Sequence, residues 1–323
     1  MNIVLSDPAY SELEVPRKRD TLALNFIHDV RDVPFLGNMA VLLLAVVIPG
    51  LALFVPGVFR WWLGAIHVVM VLWFLGPFIL MLHNTSHRRF FKAPWTRLNH
   101  IIPWVIGPFF GETPETYFAH HVGMHHPENN LAEDLSTTLP YRRDSFIGFM
   151  RYFGRFFFGV IYELPRYFVR KKRSKFIWMS LGGELVFWLM ITPFVFINWR
   201  AAVMVFVVPV VLTRFLMMAG NWAQHAFIDQ ASPENFYRNS ITCINSVYNR
   251  RCFNDGYHIG HHVKQTRHWT EMPEDFRANI GTYAKEKAIV FTDIDFFMVW
   301  AFLMLKRYDW LAAKLVPLSP ETT

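Results

Sequence analysis

Nine of the fourteen histidines, with His120 adjoining them, fall in four short windows of the 323-residue chain. His83 and His87 stand four apart, so their imidazoles share one helical face. By themselves they read equally well as solvated histidines ending a helix. His120, His121, His125 and His126 crowd together next, with His121 and His125 one turn apart and His126 beside them. His258, His261 and His262 again define a single face. His225 comes one turn after Asn221; alone it reads as a packed core histidine, and in company with the other windows as a ligand. Protonated rings this close would repel one another, whereas neutral imidazoles sharing a cation account for the clustering. One metal takes roughly four to six ligands, so nine rings imply two metals. Imidazole suits iron, zinc and copper alike, and ligand type does not choose among them.

The elements that must carry these rings are apolar. Hydrophobic residues make up 53% of the chain and aromatic residues 17%, against 18% charged, and mean hydropathy is +0.21. Four stretches approach the roughly 20 residues that cross about 30 Å of hydrocarbon. They are Gly37–Phe59 and Trp61–Leu82, joined at Arg60, and Phe176–Ile197 and Ala201–Gly220, joined by Asn198, Trp199 and Arg200. Each pair reads as a helical hairpin, and the prolines within them predict kinks that neighbouring helices can satisfy.

Four Lys and Arg residues precede the first hairpin, fourteen lie between Arg88 and Lys175 and eleven follow Gly220, against two in the connecting turns. The positive-inside rule then places both termini, the segments 83–175 and 221–323, and all four histidine windows in the cytoplasm. The expected fold is all-α and integral to the membrane: one domain over 1–323, four transmembrane helices in two hairpins, and a cytoplasmic helical cap holding a histidine-rich di-metal site. Ile101–Gly111 and Phe146–Val169 read as interfacial helices. Ala288–Leu305 is long enough to span, but Asp293 and Asp295 make insertion costly and place it on the surface. His67 reads as a packed polar residue inside the second span, and His28 and His100 as interfacial.

The first 37 residues lack the pattern of a cleavable signal. Cys243 and Cys252 match no zinc spacing and read as ordinary thiols. The net charge of +7 is spread beside apolar runs without an RNA-binding signature, which points to anionic lipid rather than nucleic acid. A transporter would bury its ligands near the bilayer midplane. A histidine-rich metal transporter or a metal-dependent membrane hydrolase is therefore the distant alternative.

His83-x3-His87, His121-x3-His125-His126 and His258-x2-His261-His262, set among paired membrane hairpins, resemble the three histidine boxes of the membrane fatty-acid desaturase and hydroxylase superfamily. Asn221-x3-His225 resembles the Asn-x3-His pair of its stearoyl-CoA desaturase branch, where the Asn acts through water. The resemblance implies nine ligands to two irons: His83, His87, His121, His125, His126, His225, His258, His261 and His262, with Asn221 reaching a metal through water. The second box has x3 where that branch has x2, so His120 stands as a substitute for His121. His268, next to Trp269, reads as a structural or supporting residue.

The implied activity is desaturation of a lipid acyl chain with dioxygen as co-substrate. Hydroxylation of a fatty acyl, sphingolipid, alkane or carotenoid substrate is the alternative. The oxidising power must come from the metals and dioxygen, since no side chain supplies it. Asp134, Glu115, Glu128 and Asp255 are candidates to orient the rings. No dinucleotide fingerprint, haem segment or iron–sulfur spacing is present, so electrons must come from an external donor, of cytochrome b5 or ferredoxin type. The basic run Arg170–Lys175 offers it a docking surface or an anchor to anionic lipid. A bacterial inner membrane and the endoplasmic reticulum fit equally.

Overall fold

In the computed structural model, which describes residues 3–9 and 18–318, helices dominate. In chain order the main ones are α1 (Val33–Leu42), α2 (Trp61–His87), α3 (Thr116–His120), α4 (Phe146–Arg170), α5 (Ser174–Ala202), α6 (Val208–Gln224), α7 (His258–Val263), α8 (Met272–Lys285), α9 (Phe296–Met304) and α10 (Tyr308–Ala312). Two short strands, β1 (Ile241–Ile244) and β2 (Ile289–Thr292), pair in parallel with Ile241 opposite Ile289. The expectation of an all-α chain is corrected by this pair. Three helical stretches are long and apolar enough to cross a membrane: Val30–Ala52, Trp61–His87 and Ser174–Gln224.

The chain forms two compact units. One, the helical-hairpin unit, comprises Pro16–Gly123 and Gly159–Phe215; the other, the strand-containing unit, comprises Met1–Val15, Met124–Phe158 and Leu216–Thr323.

In the helical-hairpin unit the helix Ser174–Gln224 folds back on itself. Asn198 leaves the helical region (φ −159°, ψ 95°), and its side-chain oxygen caps the restarted helix by accepting from the Ala201 N–H at 3.2 Å. The proof of the reversal is an ion pair. Arg214 Nη2 lies 2.6 Å from Glu184 Oε1, whereas 30 residues of straight helix would separate them by about 45 Å. Thr113 Oγ1 also donates to Glu184 Oε1, at 2.9 Å.

Thr113 follows the segment Ile101–Gly111, which the sequence placed along the membrane surface. In the structure this segment buries Ile102, Ile106, Phe109 and Phe110 while Trp104 and Val105 stay exposed, and Phe110 stacks on Phe78 of α2 with ring centroids 4.3 Å apart. At its end Gly111 has φ +75°, and a Cβ there would lie 2.3 Å from the Val210 nitrogen. Gly183 is equally constrained, since its Cβ would come 1.9 Å from the Pro114 carbonyl oxygen. Glycine at these two positions lets the segment wedge between the arms of the second hairpin.

In the strand-containing unit β1 is wholly buried, and Cys243 packs with Phe291, Val299 and Leu303 in a core that joins the strands to α9. Residues 288–305 therefore form a strand, a turn and a nine-residue helix rather than one long helix. The N-terminal segment closes the other side. Asp7 Oδ2 accepts from the Asn245 N–H and the Tyr257 hydroxyl, both at 2.7 Å, just ahead of α7.

Candidate metal centre

In the helical-hairpin unit the last turns of α2 carry two imidazoles on one face. The polar neighbours bond back to the helix: Asn84 to Leu80 O, Thr85 to Met81 O and Ser86 to His83 O. Such back-bonding satisfies these side chains without competing for the histidines. His121, which follows α3, joins them. Its Nε2 is 3.1 Å from that of His87, its ring centroid is 4.6 Å from that of His83, and Tyr117 stacks on it at 5.2 Å. His83, His87 and His121 each offer a ring nitrogen within 4.8 Å of the others. His120 ends α3 and is not a member of this group.

In the strand-containing unit His125, His225 and His262 form a second such group. All three are buried. His258 Nε2 lies 3.0 Å from His262 Nε2, and its ring is 5.4 Å from that of His225. His126 and His261 bring their Nε2 atoms to 3.1 Å. Helix α7 thus brings His262 into the group and His258 and His261 beside other histidines of this unit.

The loop after His126 and the residues ahead of β1 orient two of these rings. Asn129 and Asn130 both take left-handed backbone (φ 49° and 59°), a conformation asparagine tolerates. They turn the chain so that Asp134 Oδ2 meets His125 Nδ1 at 2.7 Å. The carboxylate is itself fixed: Oδ2 also accepts from the Asn130 N–H, and Oδ1 accepts from the Ser136 N–H and hydroxyl. A carboxylate only accepts, so the proton sits on His125 Nδ1 and the Nε2 lone pair is presented to the group.

The same logic holds for His225. Asn239 Nδ2 donates to Asn129 O and Pro233 O, which leaves its Oδ1 to accept from His225 Nδ1 at 2.7 Å. His225 Nε2 is buried without a hydrogen-bond partner. Burial, and next the neighbouring His125, lower the His225 pKa to about 4, so the ring is neutral near pH 7. Burial also pushes His258 well below its ordinary value, with His262 adding to the effect.

These features fit a metal. A fully buried imidazole with its Nδ1–H committed and its Nε2 bare lacks only a Lewis acid. Two nitrogens bound at about 2.1 Å and a right angle on one metal stand about 3.0 Å apart, close to the 3.0–3.1 Å of the facing Nε2 pairs. Asn221 donates its Nδ2 to the Tyr152 hydroxyl at 2.7 Å and to Ser136 O at 3.0 Å, leaving Oδ1 as the atom able to accept from a water.

Of the acidic candidates, Asp134 takes the orienting place. Glu115 accepts from Trp104 Nε1 and lies 3.4 Å from His100, and Asp255 accepts from the Tyr248 hydroxyl. His268 caps the turn Trp269–Glu271 by accepting from the Thr270 N–H. The sequence reading missed Asn239 and Ser136. Neither carries a charge or belongs to a motif, and only the fold brings Asn239 to His225.

A chain with long apolar helices and two groups of buried histidines able to hold metal is, by class, an integral membrane protein of metal-binding design. The family described as Fatty acid desaturase matches residues 59–293. The chain belongs to that family, which makes it an oxidoreductase of fatty acyl chains. The matched region takes in all four histidine windows and begins after the apolar stretch Val30–Ala52. No curated protein and no solved structure matches the chain.

Proposed function

We propose that the protein is a di-iron membrane desaturase that removes two hydrogens from a lipid acyl chain, using dioxygen and electrons from an external donor of cytochrome b5 or ferredoxin type. His83, His87, His121, His125, His126, His225, His258, His261 and His262 are the proposed ligands, with Asn221 acting through a water. When bound, two irons supply with dioxygen the oxidant that an unactivated C–H bond requires. The chain's own groups prepare the donors. Asp134 and Asn239 hold the protons of His125 and His225 on Nδ1, burial keeps His225 neutral, and the Tyr152 hydroxyl and Ser136 carbonyl fix the Asn221 amide.

The observation that carries this reading is the bare, buried Nε2 of His225 in a group with His125 and His262. It is supported by family membership and by the order of the windows. We further propose four spans, because the Glu184–Arg214 pair folds Ser174–Gln224 into two arms. The distribution of Lys and Arg supports cytoplasmic termini and a cytoplasmic site.

The test is expression in a host whose lipids are profiled by mass spectrometry. Acyl chains lacking two hydrogens support desaturation, acyl chains carrying an added oxygen atom convert the assignment to hydroxylation, and unchanged lipids contradict both.

A further inference from the structure

His258 lacks the kind of hydrogen bond that orients His125 and His225. It is buried, yet its Nδ1 has no partner among the described residues. The ring is therefore placed by packing, its centroid 5.9 Å from that of Phe296, and by the backbone that starts α7. Tyr257 caps that helix, and its carbonyl accepts from the His261 N–H at 3.1 Å. A shift of Tyr257 moves His258 and His261 together.

The start of α7 is gripped from two sides. On one side β1 holds Gly256, whose carbonyl accepts from the Cys243 N–H at 2.8 Å and whose N–H donates to Asn249 Oδ1 at 2.9 Å. On the other side lies the N-terminal segment 3–9, outside the region that the family matches. Ile3 and Leu5 pack against the core that contains Tyr257, Ile259 and Phe276, while Val4 and Ser6 are exposed, the period of an extended chain with one face covered. Asp7 falls on the covered face, where the alternation calls for a third apolar residue. It is buried, its Oδ2 accepts from the Tyr257 hydroxyl and the Asn245 N–H, and its Oδ1 has no partner among the described residues. A buried carboxylate with one oxygen unsatisfied is costly, and an apolar residue would carry no such cost. What the carboxylate adds is a fixed place for the Tyr257 hydroxyl. Its neighbours tighten the same grip: the Ser6 N–H donates to Asn245 Oδ1 at 2.7 Å, Asn245 Nδ2 to Val4 O at 2.9 Å and Asn254 Nδ2 to Pro8 O at 2.7 Å.

We propose that Asp7 is a positioning residue for the third histidine window. Acting through Tyr257, it fixes the start of α7 and with it the places of His258 and His261, so that the N-terminal segment sets metal affinity from outside the histidine windows. The proposal rests on the reading of His258 and His261 as ligands.

The test uses the full chain in detergent, with iron(II) affinity read by chelator competition and the visible absorption of the cobalt(II)-substituted protein reporting ligand geometry. Tyr257→Phe keeps the ring packed on Phe276 and deletes only the hydroxyl. It is expected to weaken iron binding about tenfold, the lower end for groups that support a metal ligand, and to alter the cobalt spectrum. Asp7→Ala should weaken binding at least as much, and adding Tyr257→Phe to it should cost nothing further, because both delete one interaction. Asp7→Asn retains an oxygen for the Tyr257 hydroxyl and should recover most of the affinity and the wild-type spectrum. Wild-type affinity and spectrum in Tyr257→Phe, or losses that add fully in the double variant, would overturn the proposal even if the metal-free variants unfold at lower temperature. Those results leave the ligand assignment standing, whereas a wild-type chain that takes up no metal would overturn that assignment and this proposal with it.

Discussion

The two units hold their histidines by different means. In the helical-hairpin unit His83 and His87 are placed by helix spacing, and His121 meets them with Tyr117 stacked on its ring. In the strand-containing unit His125 and His225 are placed by hydrogen bonds at Nδ1, and their partners are themselves fixed. Asn239 is locked by the carbonyl of Asn129, 110 residues away in sequence. A committed Nδ1–H sets both the orientation of a ring and its tautomer. In the strand-containing unit Asp134 and Asn239 fill this role, and removing them should lower metal affinity.

The largest effects should ignore this difference. His261→Ala and His87→Ala each remove a proposed ligand, and each is expected to abolish the acyl product while the protein still accumulates in the membrane fraction. Retained product in either variant would break the ligand assignment for that unit.

The next effects should expose the contrast. Asp134→Asn replaces an obligate acceptor and should lower metal affinity by about 10- to 100-fold. Asn239→Leu removes the side-chain acceptor and leaves His225 Nδ1 only the Asn239 backbone carbonyl at 3.0 Å, so its effect should fall at or below the lower end of that range. Tyr117→Leu removes the ring stacked on His121, a contact worth about 0.5–1.5 kcal/mol or up to roughly tenfold. Chelator competition measures all three, and a Tyr117→Leu loss equal to that of Asp134→Asn would show that stacking holds a ring as firmly as a committed Nδ1–H.

The smallest effect concerns stability of the helical-hairpin unit. Burial raises the Glu112 pKa to about 7, opposed by Arg214 and reinforced by Glu184. The folded state thus binds a proton that the unfolded chain releases near its ordinary pKa of 4.5. This contribution is complete below the ordinary value and is lost as pH rises through about 7. Thermal unfolding in detergent should shift downward between about pH 4.5 and about pH 7, and Glu112→Gln should flatten that dependence. An unchanged slope in Glu112→Gln would assign the effect to another group.

Spacing made the histidine windows legible, because i, i+3 and i+4 positions meet on any helix. It could not choose between His120 and His121. The stretch His121–His125 is a π-helical turn rather than an α-helical one, and no local residue announces that wider turn. Asp134 was visible as a charge close to the second window, whereas Asn239 was invisible because its role depends on chain folding over long separations. Hydropathy merged residues 288–305 into one apolar run and concealed β2. The β-branched pairs in Ile241–Ile244 and Ile289–Thr292 were the available strand signal. The packing of residues 101–111 against the second hairpin escaped for a related reason: an apolar stretch too short to span looks the same whether it lies on a bilayer or against other helices.

The central claim is that these histidines hold two irons. Elemental analysis of the purified wild-type chain, produced with iron and zinc both supplied, tests it most directly. The account predicts close to two irons per chain. Zinc in their place, or iron no higher than background, would contradict it.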